Sequence, residues 1–367
     1  MMQIFGSCGR YVQGYGAIQK LKSHVAYMGN TFLVIGSARR IRALRSRIET
    51  SFGGTDHLIY GDFGGESSRK EVEKHLETVR SCRVDAVIGI GGGKVMDTAK
   101  AVATLAKLPV AIVPTIAASD AATSATALLY KDEGTDVVEC IQMAQSPALV
   151  LVDTQIILEA PTRFLVAGMG DALSTYLGAR VAAAGYKENY YGGLWTKTSL
   201  EIAKLSYELL MQYGRQAKVA SEQKALTDAF NTIVEVNTLM SGLGFENNGS
   251  ATDHAFWFGM LAVPRYTAHA LHGEGVAFSC CCQLVLEGAD SATIDQVYRF
   301  CVDVGLPVTM EQLGLPDATR EELTMMAESM LRRPINHPFA VTAEMLTGAY
   351  QAADALGRLY LEGNRII

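Results

Sequence analysis

The chain contains 367 residues, a length that predicts two or three domains at roughly 100–200 residues each. Its formal net charge is −6, and 19% of its residues are charged against 49% hydrophobic, so the composition excludes a largely disordered chain and argues against a nucleic-acid partner. The most apolar stretch, residues 101–129, is interrupted by Lys107, Pro109, Pro114 and Asp120. We therefore expect no membrane partner.

The first 16 residues lack a basic cluster followed by an apolar core, so we expect no signal peptide and a cytoplasmic protein. The seven cysteines agree, because an odd number without a repeated spacing argues against a disulfide framework. Three of them are consecutive, and three adjacent residues cannot easily converge on one metal ion. We expect Cys280, Cys281 and Cys282 to be buried as small apolar residues.

Strands alternate with helices in the first half of the chain. The pattern predicts strands at 31–35, 57–60, 84–90, 110–113 and 148–152, with helices at 40–51, 67–81 and 94–106. Such alternation is typical of βαβ units, which form a largely parallel sheet. The first half is therefore predicted to be a Rossmann-like α/β domain.

After residue 153 the pattern becomes helical. It predicts helices at 164–184, 196–213, 221–243, 250–261, 273–287, 291–304, 320–331 and 342–361. The glycine-rich segment 242–249 is interpreted as a loop and as the sharpest break in this half. We predict two domains, 1–158 and 159–367, of which the second is all α.

A glycine-rich turn follows the predicted strand that ends at Ile90. It reads Gly91-Gly92-Gly93-Lys94 and leads into a helix. Glycines let the backbone approach a phosphate, and the N–H groups at a helix start favour an anion. The turn matches neither G-x-G-x-x-G nor a Walker A loop completely. We interpret it as a pyrophosphate site, with the strand ending at Gly36 near the adenosine.

Three polar residues of the second half suggest a metal site: Asp171, His254 and His272. One carboxylate and two imidazoles leave open positions, as a catalytic Zn²⁺ or Fe²⁺ site requires. Spacing alone leaves alternatives open. His269 lies three residues before His272, and Glu274 or Asp253 offers a carboxylate in place of Asp171.

Taken together, these segments resemble the glycerol dehydrogenase branch of the metal-dependent (iron-containing) alcohol dehydrogenase family over nearly the whole chain. The resemblance implies a nucleotide-binding α/β domain and an α-helical metal-binding domain, an architecture also found in dehydroquinate synthase. The matching stretches are Gly89–Lys100, Val113–Asp120, Val150–Asp153 with Ala160-Pro161, Ala167–Leu173, Ser241–Glu246, His254-Ala255 and His272–Phe278.

The resemblance also implies roles for individual residues. The metal ligands would be Asp171, His254 and His272, with His269 nearby but outside the set, and the ion would be one divalent metal, zinc rather than iron. Asp120 would hold a substrate hydroxyl, although a helix N-cap is the alternative. The implied cofactor is NAD(H), and its site would comprise Ser37, Gly91, Gly92, Gly93, Lys94, Asp97, Thr115, Ser119, Ser124, Thr126 and Tyr130.

Two departures from the family pattern bear on specificity. Ser37 stands where an aspartate usually accepts from the adenosine 2′-hydroxyl, and Arg39 and Arg40 follow it. Loss of a carboxylate near guanidinium groups favours NADP(H), unless these arginines only form a solvated helix start. The family's His-Ala-x-His-Asn-Gly reads His254-Ala-Phe-Trp-Phe-Gly259 here. If Trp257 and Phe258 face the cleft, the pocket is smaller and more apolar than glycerol would prefer.

We therefore expect an oxidoreductase that transfers hydride between a small polyol or alcohol, or the matching ketone or aldehyde, and a nicotinamide cofactor. The alternatives are an NADPH-preferring reductase of a small aldehyde or 2-oxo acid, a dehydroquinate synthase-like lyase and a glycerol-1-phosphate dehydrogenase. The last two must bind a phosphorylated compound, and residues 115–130 and 250–275 offer little positive charge beyond Arg265. A non-catalytic nucleotide-binding protein would not need three ligand positions. We also expect a homo-oligomer.

Overall fold

The computed structural model describes residues 1–54, 57–132, 137–267, 269–333 and 335–364. The chain forms two compact units. The α/β unit comprises residues 6–161 with 224–226, and the helical unit comprises residues 1–5 and the remainder. The division thus falls three residues later than the predicted 158/159, which lies inside a helix. Residues 1–5 join the helical unit, where the N–H of Ile4 donates to the carbonyl of Leu194 at 3.2 Å.

The α/β unit contains a six-stranded, fully parallel sheet in the order β1-β8-β5-β4-β2-β3, and a separate antiparallel hairpin of β6 and β7. Strands β4, β5 and β8 are buried along their whole length, which explains their uninterrupted apolar sequences. The parallel sheet confirms the predicted fold class, although β1, β6 and β7 were not predicted. The strands are β1 Tyr11–Gly14, β2 Thr31–Gly36, β3 His57–Asp62, β4 Ala86–Gly91, β5 Val110–Pro114, β6 Thr126–Tyr130, β7 Val137–Gln142 and β8 Leu149–Asp153.

Helices connect the strands of this unit. The helix after β2 buries Ile41, Leu44, Ile48 and Phe52, which recur every three or four residues and therefore share one face. It ends at Gly53, whose φ of 62° is the left-handed conformation that favours glycine. The helices are α1 Leu21–Val25, α2 Ala38–Phe52, α3 Arg69–Cys82, α4 Gly93–Ala106 and α5 Thr154–Glu159, with 3₁₀ turns at Ala17–Lys20, Ala26–Met28 and Asp120–Ala122.

The order of the strands creates a switch point between β2 and β4. The chain leaves β2 toward β3 on one side and leaves β4 toward β5 on the other, so no connection covers the carboxyl ends of these two neighbours. Open α/β sheets bind ligands at such a crevice. The residues that follow these strands, Ser37 and Gly92, are both predicted cofactor residues.

The helical unit is built around α6, which is buried along nearly its whole length because α7, α9 and α11 pack against it. A π-helical segment, Val236–Met240, joins α8 directly to α9. Cys280, Cys281 and Cys282 are fully buried in α11, as predicted. The helices are α6 Thr162–Ala184, α7 Lys197–Glu222, α8 Asp228–Glu235, α9 Ser241–Asn248, α10 Ala255–Met260, α11 His272–Leu286, α12 Ser291–Val304, α13 Arg320–Leu331 and α14 Ala343–Leu361.

Two predicted helix boundaries that fall beside glycines are wrong, because these glycines lie inside helices. The predicted loop at 242–249 is wrong, because residues 241–248 form α9 and the chain turns only at Gly249. A Cβ on Gly244 would lie 2.3 Å from Thr175 Cγ2. The predicted end at residue 213 is wrong for the same reason, since a Cβ on Gly214 would lie 2.6 Å from the ring of Phe300. Both glycines allow close helix packing instead of ending a helix.

The predicted helix at 250–261 is also shorter in the structure, where α10 begins only at Ala255. Side chains bind the preceding backbone instead. Asp253 Oδ1 accepts from the N–H of Ala251 at 2.6 Å, and Gln283 Oε1 accepts from the N–H of Thr252 at 3.0 Å. Such bonds compete with helix formation. Among the described residues, no helix is long and apolar enough to cross a membrane.

Candidate active site

The first feature of the candidate site is a close crossing of α6 and α11. A Cβ on Gly170 would lie 2.2 Å from the carbonyl oxygen of Gly273, and one on Gly273 would lie 1.8 Å from that of Ala167. Both positions therefore admit only glycine at this separation. The neighbouring residues along the chain are Asp171 and His272, so the crossing brings a buried carboxylate next to an imidazole.

Asp171, His254 and His272 converge in the helical unit. One ligand atom from each lies within 4.8 Å of the others, and no other group of this kind occurs among the described residues. Asp171 Oδ1 lies 3.6 Å from His254 Nε2 and 3.4 Å from His272 Nε2. Ligand bonds of about 2.0–2.1 Å at the tetrahedral angle place neighbouring donors about 3.3–3.4 Å apart. The donor set and its spacing therefore fit one divalent ion.

The electrostatics of this cluster favour positive charge. Burial opposes charge on the His254 imidazole, yet the carboxylates of Asp171 and Asp253 outweigh it and raise the pKa of His254 to about 10. Burial likewise opposes charge on Asp171, but the two imidazoles hold its pKa well below the usual range.

Solvent exposure differs between the two sides of the cluster. Asp171 is 2% exposed, whereas the side chain of His272 is 43% exposed. The cluster is thus closed on the Asp171 side and open at His272.

The structure separates the alternatives that spacing left open. Both carboxylate oxygens of Glu274 accept from the Arg163 guanidinium, at 2.6 and 2.8 Å, so Glu274 is engaged elsewhere. The Asp253 carboxylate contacts the Nδ1 side of His254, at 2.7 Å, and not the Nε2 side. His269 is exposed and lies outside the cluster of three.

The two aromatic residues that depart from the family pattern differ in environment. Trp257 is buried, with its ring edge-on to Tyr266 at 5.9 Å and its indole against Gly275. Phe258 is 38% exposed, and its ring centroid lies 6.1 Å from that of His272. Arg333 lies over the Phe258 ring, 5.7 Å from its centroid. Of these two residues, Phe258 alone places an apolar ring beside a candidate ligand.

The second feature is a pocket of about 390 Å³ at the switch point of the α/β unit. The pocket joins the carboxyl ends of β2 and β4, as expected for a dinucleotide. Helix α4 begins at Gly93 without a side-chain cap, which leaves its first N–H groups available to an anion. The pocket is lined by Ser37, Phe63, Gly64, Gly65, Gly92, Gly93, Lys94 and Val95.

Two of the lining residues have partners that bear on cofactor binding. Ser37 Oγ accepts from the N–H of Arg40 at 3.3 Å and caps α2. Lys94 Nζ donates to Glu66 at 2.5 Å and lies over the Tyr130 ring, 5.3 Å from its centroid. The Lys94 ammonium is therefore already neutralised by the Glu66 carboxylate at the pocket. Burial, together with the charges of Asp97 and Glu66, raises the pKa of the neighbouring Tyr130 phenol to about 12.

A buried lysine that we did not single out from the sequence contacts two of the predicted cofactor residues, Ser124 and Thr126. Lys100 is fully buried and donates to Ser124 Oγ at 2.9 Å, to the carbonyl of Thr126 at 3.0 Å and to the carbonyl of Ala121. Burial raises the pKa of Asp97 to about 7, although the Lys100 charge opposes the shift. The sequence signal is a lysine three residues after an aspartate, Asp97, in a mainly apolar helix.

The remaining predicted residues lie at the end of β4 and in the segment that follows β5. Gly91 ends β4, and its carbonyl accepts from the N–H of Thr115 at 2.9 Å. Thr115 is buried, whereas Asp120 is half-buried. The alternative that Asp120 is a helix N-cap is wrong, because Ser119 Oγ accepts from the N–H of Ala121 and Asp120 is the first residue of the 3₁₀ turn.

Comparison with known proteins identifies the family. Residues 8–154 match the model of the iron-containing alcohol dehydrogenases. A glycerol dehydrogenase of Thermotoga maritima is 42% identical over 96% of both chains. The chain belongs to the iron-containing alcohol dehydrogenase family. A glycolaldehyde reductase of Halobacterium salinarum is 35% identical, covering 98% of this chain and 99% of its own. The crystal structure of glycerol dehydrogenase from Schizosaccharomyces pombe, 33% identical, covers 99% of this chain and 93% of its own with a TM-score of 0.93.

Membership in the iron-containing alcohol dehydrogenase family confirms the predicted class of activity. The chain is a glycerol dehydrogenase-like, metal-dependent alcohol dehydrogenase, an oxidoreductase that acts on CH–OH groups. The family uses NAD and a divalent metal. The expected architecture, an α/β region followed by a helical region, is likewise confirmed.

Proposed function

We propose that this enzyme interconverts a small polyol with its ketone or aldehyde, using NAD(H) and one divalent ion held by Asp171, His254 and His272. The observation that carries the proposal is the convergence of these three donors at 3.4–3.6 Å around Asp171 Oδ1. When bound, the ion supplies Lewis acidity to a hydroxyl or carbonyl oxygen, and the nicotinamide accepts or gives hydride.

The protein's own residues then have distinct tasks. Asp171 anchors the site from the buried side, and the exposure of His272 leaves the substrate a way in. The start of α4 at Gly93 receives the pyrophosphate. Asp120 orients a second hydroxyl of the substrate, which favours vicinal diols. No side chain would need to serve as a dedicated base, because a divalent ion bound here would lower the pKa of the reacting hydroxyl.

We propose zinc over iron because one carboxylate and two imidazoles with open positions are a donor set typical of catalytic zinc sites. Hydride transfer also requires no change in the oxidation state of the ion.

We propose that the enzyme also accepts NADP(H). The 2′-hydroxyl end of the pocket holds the neutral Ser37 where a carboxylate would repel a 2′-phosphate. Arg39 is exposed and Arg40 is half-buried, and neither forms an ion pair within the described part of the chain. Their guanidinium groups are therefore available to a phosphate.

A small aldehyde is a second candidate substrate, and Phe258 is the observation that favours it. Its exposed ring beside His272 replaces polar surface with apolar surface, which weakens binding of a triol more than of a two-carbon aldehyde. The similarity to a glycolaldehyde reductase supports the same candidate. A lyase acting on a phosphorylated acid is disfavoured, because the guanidinium of Arg265 is paired with Glu322 at 2.5 and 2.9 Å.

Steady-state kinetics with glycerol, propane-1,2-diol and glycolaldehyde, each with NAD(H) and NADP(H), test the proposal on protein stripped of metal and reloaded with Zn²⁺ or Fe²⁺. We expect turnover only after reloading. Asp171→Asn should abolish turnover while leaving NAD(H) binding measurable by fluorescence, because Asp171 and the nucleotide pocket lie in different units. Full turnover by stripped protein or by Asp171→Asn would refute the metal site.

We also propose a cytoplasmic homo-oligomer. The seven cysteines are all unpaired, as in a reducing compartment. Size-exclusion chromatography with light scattering tests the oligomeric state, and a monomer at micromolar concentration would contradict it.

A further inference from the structure

A second carboxylate, Asp253, lies behind the candidate metal cluster. Its Oδ2 accepts from His254 Nδ1 at 2.7 Å, while His254 Nε2 points toward Asp171. Asp253 is only 1% exposed, so this hydrogen bond does not compete with solvent. An imidazole that donates through Nδ1 has its lone pair on Nε2, where a metal ion binds.

The surrounding residues fix Asp253 in place. Its other oxygen, Oδ1, accepts from the N–H of Ala251 at 2.6 Å, so both oxygens have one donor each. Gly178 on α6 leaves the space for the carboxylate, since a Cβ there would lie 2.4 Å from Oδ1. The preceding Thr252 is anchored on α11 through Gln283 Oε1. The carboxylate therefore rests between α6 and α11.

We propose that Asp253 is a positioning residue that holds His254 in the tautomer and orientation required for metal binding. The proposal rests on the metal site proposed above. Partners of this kind in other metal sites typically change affinity by about 10–100-fold when they are removed. Asp253 does not touch the ion itself, because its oxygens face Nδ1 of His254 and the N–H of Ala251.

Asp253→Asn tests this role with almost no change in volume. An amide has one oxygen, so it cannot accept from both His254 and Ala251. If the amide NH₂ faces His254, Nδ1 becomes an acceptor and the proton moves to Nε2, which blocks the metal-binding atom. Gly178→Ala is a second variant, which keeps Asp253 but displaces its carboxylate.

Asp354→Asn is the matched control. Asp354 is also buried, and its two oxygens accept from the N–H of Met310 at 2.7 Å and from Arg358 at 3.0 Å, away from the cluster. It therefore reports the general effect of replacing a buried, doubly bonded carboxylate.

The measurements are the Zn²⁺ dissociation constant, by competition with a chromogenic chelator, and the visible absorption spectrum of the Co²⁺-loaded protein. Circular dichroism and thermal unfolding of the stripped proteins check the fold. We expect Asp253→Asn and Gly178→Ala to weaken Zn²⁺ binding about 10–100-fold and to alter the Co²⁺ spectrum, while Asp354→Asn changes neither.

Unchanged affinity and spectrum in folded Asp253→Asn would overturn the proposal, as would equal losses in Asp253→Asn and Asp354→Asn. Failure of the wild-type protein to bind Zn²⁺ more tightly than Asp171→Asn would instead refute the metal site itself, so the two failures are distinguishable.

Discussion

Gly273→Ala tests whether the crossing of α6 and α11 builds the metal site. The added Cβ would start 1.8 Å from the carbonyl oxygen of Ala167, and real Cβ contacts are essentially never below 3.0 Å, so the helices must separate by about 1.2 Å. Because the obstacle is backbone, no side chain can rotate away. Overpacking of this kind typically costs about 1–3 kcal/mol.

The same movement affects the donors. His272 precedes Gly273 and Asp171 follows Gly170, so the separation between Asp171 Oδ1 and His272 Nε2 should grow from 3.4 Å by a comparable distance. Metal sites require donor positions within about 0.5 Å of the productive geometry. We expect Gly273→Ala to lose most Zn²⁺ affinity and to unfold at a lower temperature, by roughly 2–4 °C per kcal/mol.

Metal content by mass spectrometry, Zn²⁺ affinity and thermal unfolding measure these effects. Gly348→Ala is the matched control, because it lies in α14 with nothing within 4 Å of its Cβ position. It should bind Zn²⁺ normally and be more stable by about 0.5–1 kcal/mol, since alanine favours a helix over glycine. Wild-type affinity and stability in Gly273→Ala would refute the reasoning.

Three further predictions concern the α/β unit. Folding raises the pKa of Asp97 from 3.8 to about 7, so the free energy of unfolding of the wild type falls as the pH rises through this range. In urea unfolding between pH 4 and 8, Asp97→Asn should therefore gain up to about 4 kcal/mol over wild type, and parallel pH profiles of the two proteins would contradict this. Lys100→Met should lower the free energy of unfolding in guanidinium by about 3–5 kcal/mol, because three oxygen acceptors lose the ammonium group that they contact and Asp97 loses its positive charge. A decrease below about 1 kcal/mol would exclude a stabilising role for the buried ammonium. Ser37→Asp should raise the ratio of kcat/KM for NAD to that for NADP about tenfold or more, because a carboxylate repels a 2′-phosphate, whereas Ser37→Asn, a neutral N-cap, should leave this ratio unchanged. Equal ratios in the two variants would argue against a 2′-phosphate at this position.

The sequence predictions were accurate for patterns that run along the chain and inaccurate for glycines, whose effect depends on the residue that packs against them. Buried parallel strands such as β4 and β5 read as uninterrupted apolar runs, and their alternation with amphipathic helices predicted the sheet. Glycine misled us because its meaning depends on what lies opposite. Gly53 ends a helix, whereas Gly214 and Gly244 lie inside helices, where the missing side chain leaves room for Phe300 and Thr175 to pack. A single sequence does not show which residue packs against a glycine.

The candidate site shows the same division. The donors were found because isolated carboxylates and imidazoles are unusual in apolar helices, and their convergence depends on helix packing that spacing does not encode. Asp253 was considered only as a substitute ligand, because its place behind His254 follows from Gly178, 75 residues earlier in the chain. The buried position of Lys100 depends on the carbonyls of Ala121 and Thr126, which lie beyond the end of its own helix.

The pairing of β1 has a consequence for synthesis of the protein on the ribosome. Among the described strands, β1 (residues 11–14) pairs only with β8 (residues 149–153), and the Asp153 carboxylate accepts from the N–H groups of Gly16 and Ile18. At about 5–20 residues per second, β1 waits roughly 7–28 s after its own synthesis for this partner. Strands β2 to β5 can meanwhile assemble in the nascent chain. The first strand to be made is thus the last to join the sheet, and chains released before residue 149 keep an unpaired β1 and an open edge at β5 that invites aggregation.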